Sequence, residues 1–183
     1  MQYNFSGFKA ELKKAEEFLG KEYSQLNIGR ASPMVLDGIT VDSYGSRVPL
    51  KNVASISIED PKTLRIAPWD KSHIKEIEKA IASSNLGLSV ATDDQGVRVI
   101  FPQLTTENRG ALVKVLKEKL EEGRITVRRE RERVCDEIQK LEKEGKMTED
   151  EKFRAKDELQ KIIDEANKNL EAHFEKKEKE VLG

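Results

Sequence analysis

Between residues 124 and 133 the chain reads Arg124-Ile125-Thr126-Val127-Arg128-Arg129-Glu130-Arg131-Glu132-Arg133. Arg124, Arg128 and Arg131 are spaced four and three apart, which on a helix places them on one face. A guanidinium is a planar fork of donors that fits phosphate oxygens and guanine edges, and it stacks on bases. The chemistry open to such a row is the binding of a polyanion, not the making of bonds. Arg129 and Arg133 complete the cluster. Arg30, at the end of an earlier apolar helix, is a further candidate. If that first helix runs parallel to the last one, Arg30 approaches Arg128 and Arg131. The competing reading is a solvated face laced with ion pairs to Glu121, Glu130 and Glu132. Against it, the rest of the helical surface is rich in Lys, and a cluster drawn from two helices is more specific than a charged run on one.

Catalytic and metal chemistry have little to work with. His73 and His173 fall in different predicted units, and each reads as a solvated helix residue. Cys135 is the only cysteine, so no intramolecular disulfide can form, which fits a reducing compartment. One Cys and two separated His exclude a structural zinc site on ligand count. Neither standard glycine-rich phosphate loop occurs, Asp93-Asp94 reads as a solvated turn, and the β-rich part shows no nucleophile paired with a base. The expectation is a chain without enzymatic activity, cofactor or metal.

The formal net charge of the 183 residues is −1, so bulk charge does not point to a polyanion. Its distribution is more informative. From Thr105 to Val134 there are nine Lys and Arg against six Asp and Glu, and from Cys135 to Gly183 eleven against fifteen. A basic stretch on a neutral protein is a nucleic-acid signal. No apolar run approaches the ~18 residues of a membrane span. Met1 to Phe5 has no basic stretch leading into an apolar one, so the expected address is the cytoplasm.

The arginines lie in the middle of the stretch that organises the chain. From Thr105 to Glu144, apolar residues recur at Leu112, Leu116, Leu120, Val127, Val134, Ile138 and Leu141, the period of one long helix. Thr105 or Thr106 can cap its start, and Gly145 can stop it. Phe8, Leu12, Ala15, Leu19 and Leu26, with Tyr23 alongside, predict a first helix over Ser6–Ile28. Thr148 and Glu151 form a capping box that opens a third bundle helix reaching about Val181. Between the first two helices the period changes to two. Strands are expected near 39–44, 54–58, 64–67 and 97–101, with Val48-Pro49-Leu50 a short edge segment at best. A short helix capped by Asp70 or Ser72 runs through Ser83.

The order helix, β unit, helix, helix makes the β-rich segment an insertion into a three-helix bundle, because no single amphipathic helix of this size can bury its stripe alone. The expected fold class is α+β. The bundle takes 1–30 and 105–183, the inserted β/α/β domain 31–104. The two passages between them would lie side by side and act as a hinge, comprising Arg30, Ala31, Ser32, Pro33, Gln103, Leu104 and Thr105.

Gly29-Arg30-Ala31-Ser32-Pro33, then Leu36-Asp37-Gly38, Tyr44-Gly45, Pro49-Leu50, Leu86-Gly87-Leu88, Arg98-Val99, Leu104-Thr105 and Val127-Arg128 resemble the ribosome recycling factor family in colinear order across the chain. The resemblance implies an L-shaped, two-domain protein of transfer-RNA-like dimensions that acts as a monomer. It implies a translation factor that binds the large ribosomal subunit after termination and, with elongation factor G and GTP, separates the subunits from mRNA and tRNA. The family's contacts to ribosomal RNA come from basic residues on the bundle, matching Arg30, Arg128 and Arg131. A rival from another class is a coiled-coil protein-interaction or chaperone-like factor, which would leave Arg30 and the clustered arginines unexplained.

Overall fold

A helix of 38 residues, Thr106–Lys143, buries Leu116, Leu120, Val127, Val134 and Ile138 along one side. The computed structural model describes residues 3–183. It contains helices α1 (Ser6–Ser24), α2 (Ile74–Ala82), α3 (Thr106–Lys143) and α4 (Glu149–Leu182). The strands are β1 (Thr40–Ser43), β2 (Ser46–Pro49), β3 (Ala54–Asp60), β4 (Thr63–Pro68), β5 (Ser89–Asp93) and β6 (Gly96–Ile100). Two compact units result: Met1–Tyr23 with Gly110–Gly183, and Ser24–Arg109.

In the first unit α1, α3 and α4 form an up-down-up bundle. The Tyr3 hydroxyl donates to Glu137, and the Tyr23 hydroxyl to the Leu116 carbonyl at 2.7 Å, so α1 is antiparallel to α3. Lys152 reaches Glu142 at 2.7 Å and Arg124 pairs with Glu171, so α4 is antiparallel to α3 as well. α1 therefore runs parallel to α4, and Glu16 meets both Asn169 and His173 there. The seam is closed by Phe8, Leu12 and Leu19 of α1 and by Leu159, Ile162, Ile163, Leu170 and Phe174 of α4. Burial of each such side chain contributes about 1.5–3 kcal/mol. The Thr148 hydroxyl accepts from the Glu151 backbone N–H, while the Glu151 carboxylate accepts from the Thr148 N–H, so the capping box forms as the sequence predicts.

The second unit holds a β1–β2 hairpin and an antiparallel sheet in the order β3-β4-β6-β5. Leu64, Ile66, Val97 and Val99 point from one sheet face to Ile77 and Ile81 of α2, all at 1% exposure or less. Among the described residues of this unit, no α-helix covers the opposite face. Arg65 and Arg98 sit directly across from each other there, on β4 and β6. Like charges opposed in this way repel, and the side chains leave in opposite directions. Arg65 grips Asp93 of β5 with two hydrogen bonds of 2.5 and 2.8 Å, and Arg98 grips Glu59 of β3 with two of 2.8 and 2.7 Å. Each bidentate strap thus skips over a strand, and together they lace all four.

Four expectations need correction. The first helix ends at Ser24, not Ile28, because the chain beyond it is captured by the β unit. Asn27 donates to the Leu86 carbonyl at 3.0 Å and accepts from the Gly29 N–H at 2.9 Å. For the same reason the second unit begins at Ser24, inside the segment assigned to the bundle, and extends to Arg109. β5 was not foreseen: it lies at the sheet edge with only Val90 half-buried, so its residues show no alternation. The segment around Val48 is a true strand, with Pro49 opposite Thr40 at its end, where a missing donor costs little.

Gly96 has φ 150°, and a Cβ there would overlap the Ile66 carbonyl on the neighbouring strand. Gly96→Ala is expected to destabilise the β unit by about 3 kcal/mol or more, read as an earlier thermal transition in near-ultraviolet circular dichroism while helical ellipticity persists. The Arg65 fork, then the Gln95 N–H, holds the Asp93 carboxyl below its ordinary pKa. A depressed carboxylate pKa stabilises the fold above the unfolded value of about 3.9; that stability is lost as pH falls through the lower, folded value. Asp93→Asn should therefore lower stability at neutral pH and flatten its decline below about pH 4, as chemical denaturation across pH will read.

Candidate nucleic-acid interface

At 100° per residue Arg124, Arg128 and Arg131 span about 60° of the α3 circumference, on the flank next to the buried stripe. Arg129 and Arg133 lie on the other side. The structure separates the five arginines accordingly. Arg124, Arg128 and Arg131 line a cleft of about 440 Å³ between α3 and α4, with Val127 and, from α4, Gln160, Ile163 and Asn167. Arg133 binds Glu130 at 3.0 Å and Glu137 at 2.7 Å. Arg129 is 3.8 Å from Glu130 with its side chain 74% exposed. One α3 face therefore forms a basic groove, and the other is the ion-paired surface of the competing reading.

The groove is partly neutralised by its own chain. Arg124 pairs with Glu171 across to α4, and Arg128 reaches one carboxylate oxygen of Glu121 at 2.7 Å. Glu130 and Glu132, the acidic neighbours in sequence, do not enter the groove; Glu130 serves Arg133 and Arg129. Arg131 is exposed and has no ion-pair partner among the described residues. It is the guanidinium ready for an anion. The other two can follow, because pairs between exposed side chains are weak and yield readily to a competing phosphate.

Arg30 does not join the cluster by way of α1. That helix ends at Ser24, one residue after Tyr23 has reached the level of Leu116. Twelve residues, about 18 Å of helix, separate Leu116 from Arg128 along α3. Arg30 is exposed and belongs to the β unit. The expectation carries α1 on to Ile28; the helix stops at Ser24, so α1 itself does not carry Arg30.

The expected hinge residues are engaged unequally. The Ala31 N–H donates to the Pro61 carbonyl at 2.9 Å, and Ser32 and Pro33 open a turn of 3-10 helix, Pro33–Leu36, with the Val35 N–H bound to the Ser32 carbonyl. On the return passage, the Phe101 N–H donates to the Lys62 carbonyl at 2.8 Å. Both passages are thus tied to the same β3–β4 turn. They touch at Gly29, with φ 75°, where a Cβ would stand 3.1 Å from the Pro102 carbonyl and 3.4 Å from Leu104. Thr105 is the cap of α3, its hydroxyl accepting from the Asn108 N–H at 3.2 Å.

One constellation escaped the sequence. His73 is only 8% exposed, not solvated, and its Nε2 lies 2.9 Å from Ser43 Oγ. A sequence separation of thirty hides that pair from spacing rules. No carboxylate orients the imidazole: Nδ1 is buried without a partner. Nearby Asp70 instead accepts from the Ser72 N–H and the Tyr44 hydroxyl, which hold its pKa down at about 2. A serine nucleophile needs an oriented base, and this histidine has no such partner. Its ring packs edge-on against Tyr44 at 5.3 Å.

Comparison with known proteins adds an independent line. The sequence pattern describing ribosome recycling factor matches residues 19–182. A ribosome-recycling factor of Pelotomaculum thermopropionicum is 40% identical over 174 residues, 95% of this chain and 94% of that one. One from Symbiobacterium thermophilum is 44% identical over 171 residues, 93% and 92% of the two chains. The solution structure of a ribosome recycling factor superposes with a TM-score of 0.75 at 36% identity, covering 95% of this chain and 92% of that one. A second structure, 38% identical with a TM-score of 0.65 and covering 98% and 97%, presents the Thermus thermophilus factor and Escherichia coli elongation factor G bound to the E. coli post-termination complex.

If Glu121 masks the groove, Glu121→Gln frees Arg128 and raises the salt concentration at which the protein leaves a heparin column. Glu132→Gln, outside the groove, should shift it less.

Proposed function

The chain belongs to the ribosome recycling factor family, and from that premise we propose that it binds the large subunit of post-termination ribosomes and, with elongation factor G and GTP, separates the subunits. The bundle is the gripping body. Arg131, with Arg124 and Arg128 once they release their carboxylates, holds phosphates of ribosomal RNA; Arg129 and Arg133 act at longer range, and Arg30 contributes from the β unit. The observation that carries this reading is the unpaired Arg131 at the mouth of a cleft that two further arginines line. The chemistry of separation belongs to the GTPase, and this protein supplies a stiff lever.

The lever needs a place to bend. Asn27 and Ala31 are bonded within the β unit, so bending at Ser32 or Pro33 would break those bonds. We place the give on the first passage at Gln25 and Leu26, before Asn27, and on the return at Gln103 and Leu104, between the Phe101 anchor and the Thr105 cap.

Arg131→Ala should weaken binding to large ribosomal subunits about tenfold and reduce the slope of log affinity against log salt by about one, with the thermal melt unchanged. Sedimentation of ribosomes with this protein, elongation factor G and GTP then reads subunit release, which should fall in parallel. Unaltered affinity in Arg131→Ala would remove the groove from the mechanism. Capture of client proteins from a lysate without ribosomal RNA would favour the coiled-coil alternative.

A further inference from the structure

We propose that the α3–α4 cleft receives one unstacked base of the RNA, with the Asn167 amide on the base edge and Arg131 on an adjoining phosphate; this rests on the RNA-binding reading above. Phosphate capture alone requires only exposed guanidinium groups. The cleft contains more. Its floor is apolar, from Val127 at 2% exposure and Ile163 at 6%. Its α4 wall carries two amides, Gln160 and Asn167, and no carboxylate lines it. The Asn167 side chain is half-buried and has no hydrogen-bond partner among the described residues. Gln160 is held by a 2.8 Å bond from its amide nitrogen to Asp164, which leaves its carbonyl oxygen able to accept.

These groups complement a base better than a phosphate. An amide presents a donor and an acceptor side by side, as the polar edges of bases do. An apolar floor accepts the faces of a ring, and arginine planes stack on it. The volume, about 440 Å³, lies in the range of small-molecule pockets. The acidic groups nearby are already engaged: Glu171 by Arg124, Glu121 by Arg128, Asp164 by Gln160. A base held in a duplex is stacked on both faces and cannot enter. The ligand is therefore a nucleotide of a loop or bulge, flanked by phosphates that the arginines reach.

The test is chemical footprinting of isolated large ribosomal subunits with reagents that attack unpaired base edges, together with affinity measurements on the same subunits. The native protein should protect at least one unpaired base. Asn167→Ala should lose that protection and bind about tenfold more weakly, with its salt dependence unchanged, and Asn167→Gln should restore part of both. Arg131→Ala should weaken binding and reduce the salt dependence. If Asn167→Ala retains both protection and affinity while Arg131→Ala weakens binding, the groove holds phosphate only and the base site is wrong. If neither variant changes binding, the RNA-binding reading of the groove fails first. Absence of any base protection by the native protein overturns the base site outright.

Discussion

A helix with an apolar stripe longer than any single neighbour's core can be stable in water only if something equally long lies against it. α3 sets that requirement; α4, of 34 residues, meets it, and α1, of 19, covers part of the stripe from the other side. Everything at the groove follows. The stripe fixes which flank of α3 turns toward α4, and that flank carries Arg124, Arg128 and Arg131. The same rotation sends Arg129 and Arg133 to the opposite flank, where Glu130 and Glu137 receive them. Packing, not charge, decided which arginines line the cleft.

This explains how a chain with net charge −1 can present a basic cleft. The acidic residues around the α3 arginines are spent locally, Glu121 on Arg128, Glu171 on Arg124, and Glu130 and Glu137 on Arg133, and Arg131 is left over. The β unit manages charge by a different route. Two opposed arginines on its bare sheet face would repel, and they are instead drawn apart onto Glu59 and Asp93, so a potential defect becomes a tie across the strands.

The sequence disclosed what obeys a period. The stripes of α3 and α4, the capping box at Thr148 and the strands with alternating burial were all legible, since each is a local pattern. The family resemblance carried by Gly29 to Pro33 was legible for the same reason. What was hidden depends on tertiary partners. Leu26 and Ile28 continue an apolar run, yet the Asn27–Leu86 bond takes them out of the helix. Ser89 to Asp93 has no alternation because an edge strand needs none. His73 looked solvated because nothing near it in sequence is Ser43. The division of five arginines into a groove set and a paired set was available from helical geometry, but which carboxylates silence Arg124 and Arg128 was not: one lies on another helix, and the other is two turns away.

Apolar seams between helices grip without choosing a register, since one layer of leucines resembles the next. The Tyr23 hydroxyl, bonded to a main-chain oxygen of α3 in a site where burial and the Glu171 charge push its own pKa up to about 12, selects one. It acts as a detent: a slip by a single turn would strand a buried O–H and unseat Glu16 from His173 at the other interface. Helices so indexed are locked against sliding along their own axes, and the bundle keeps its length under load.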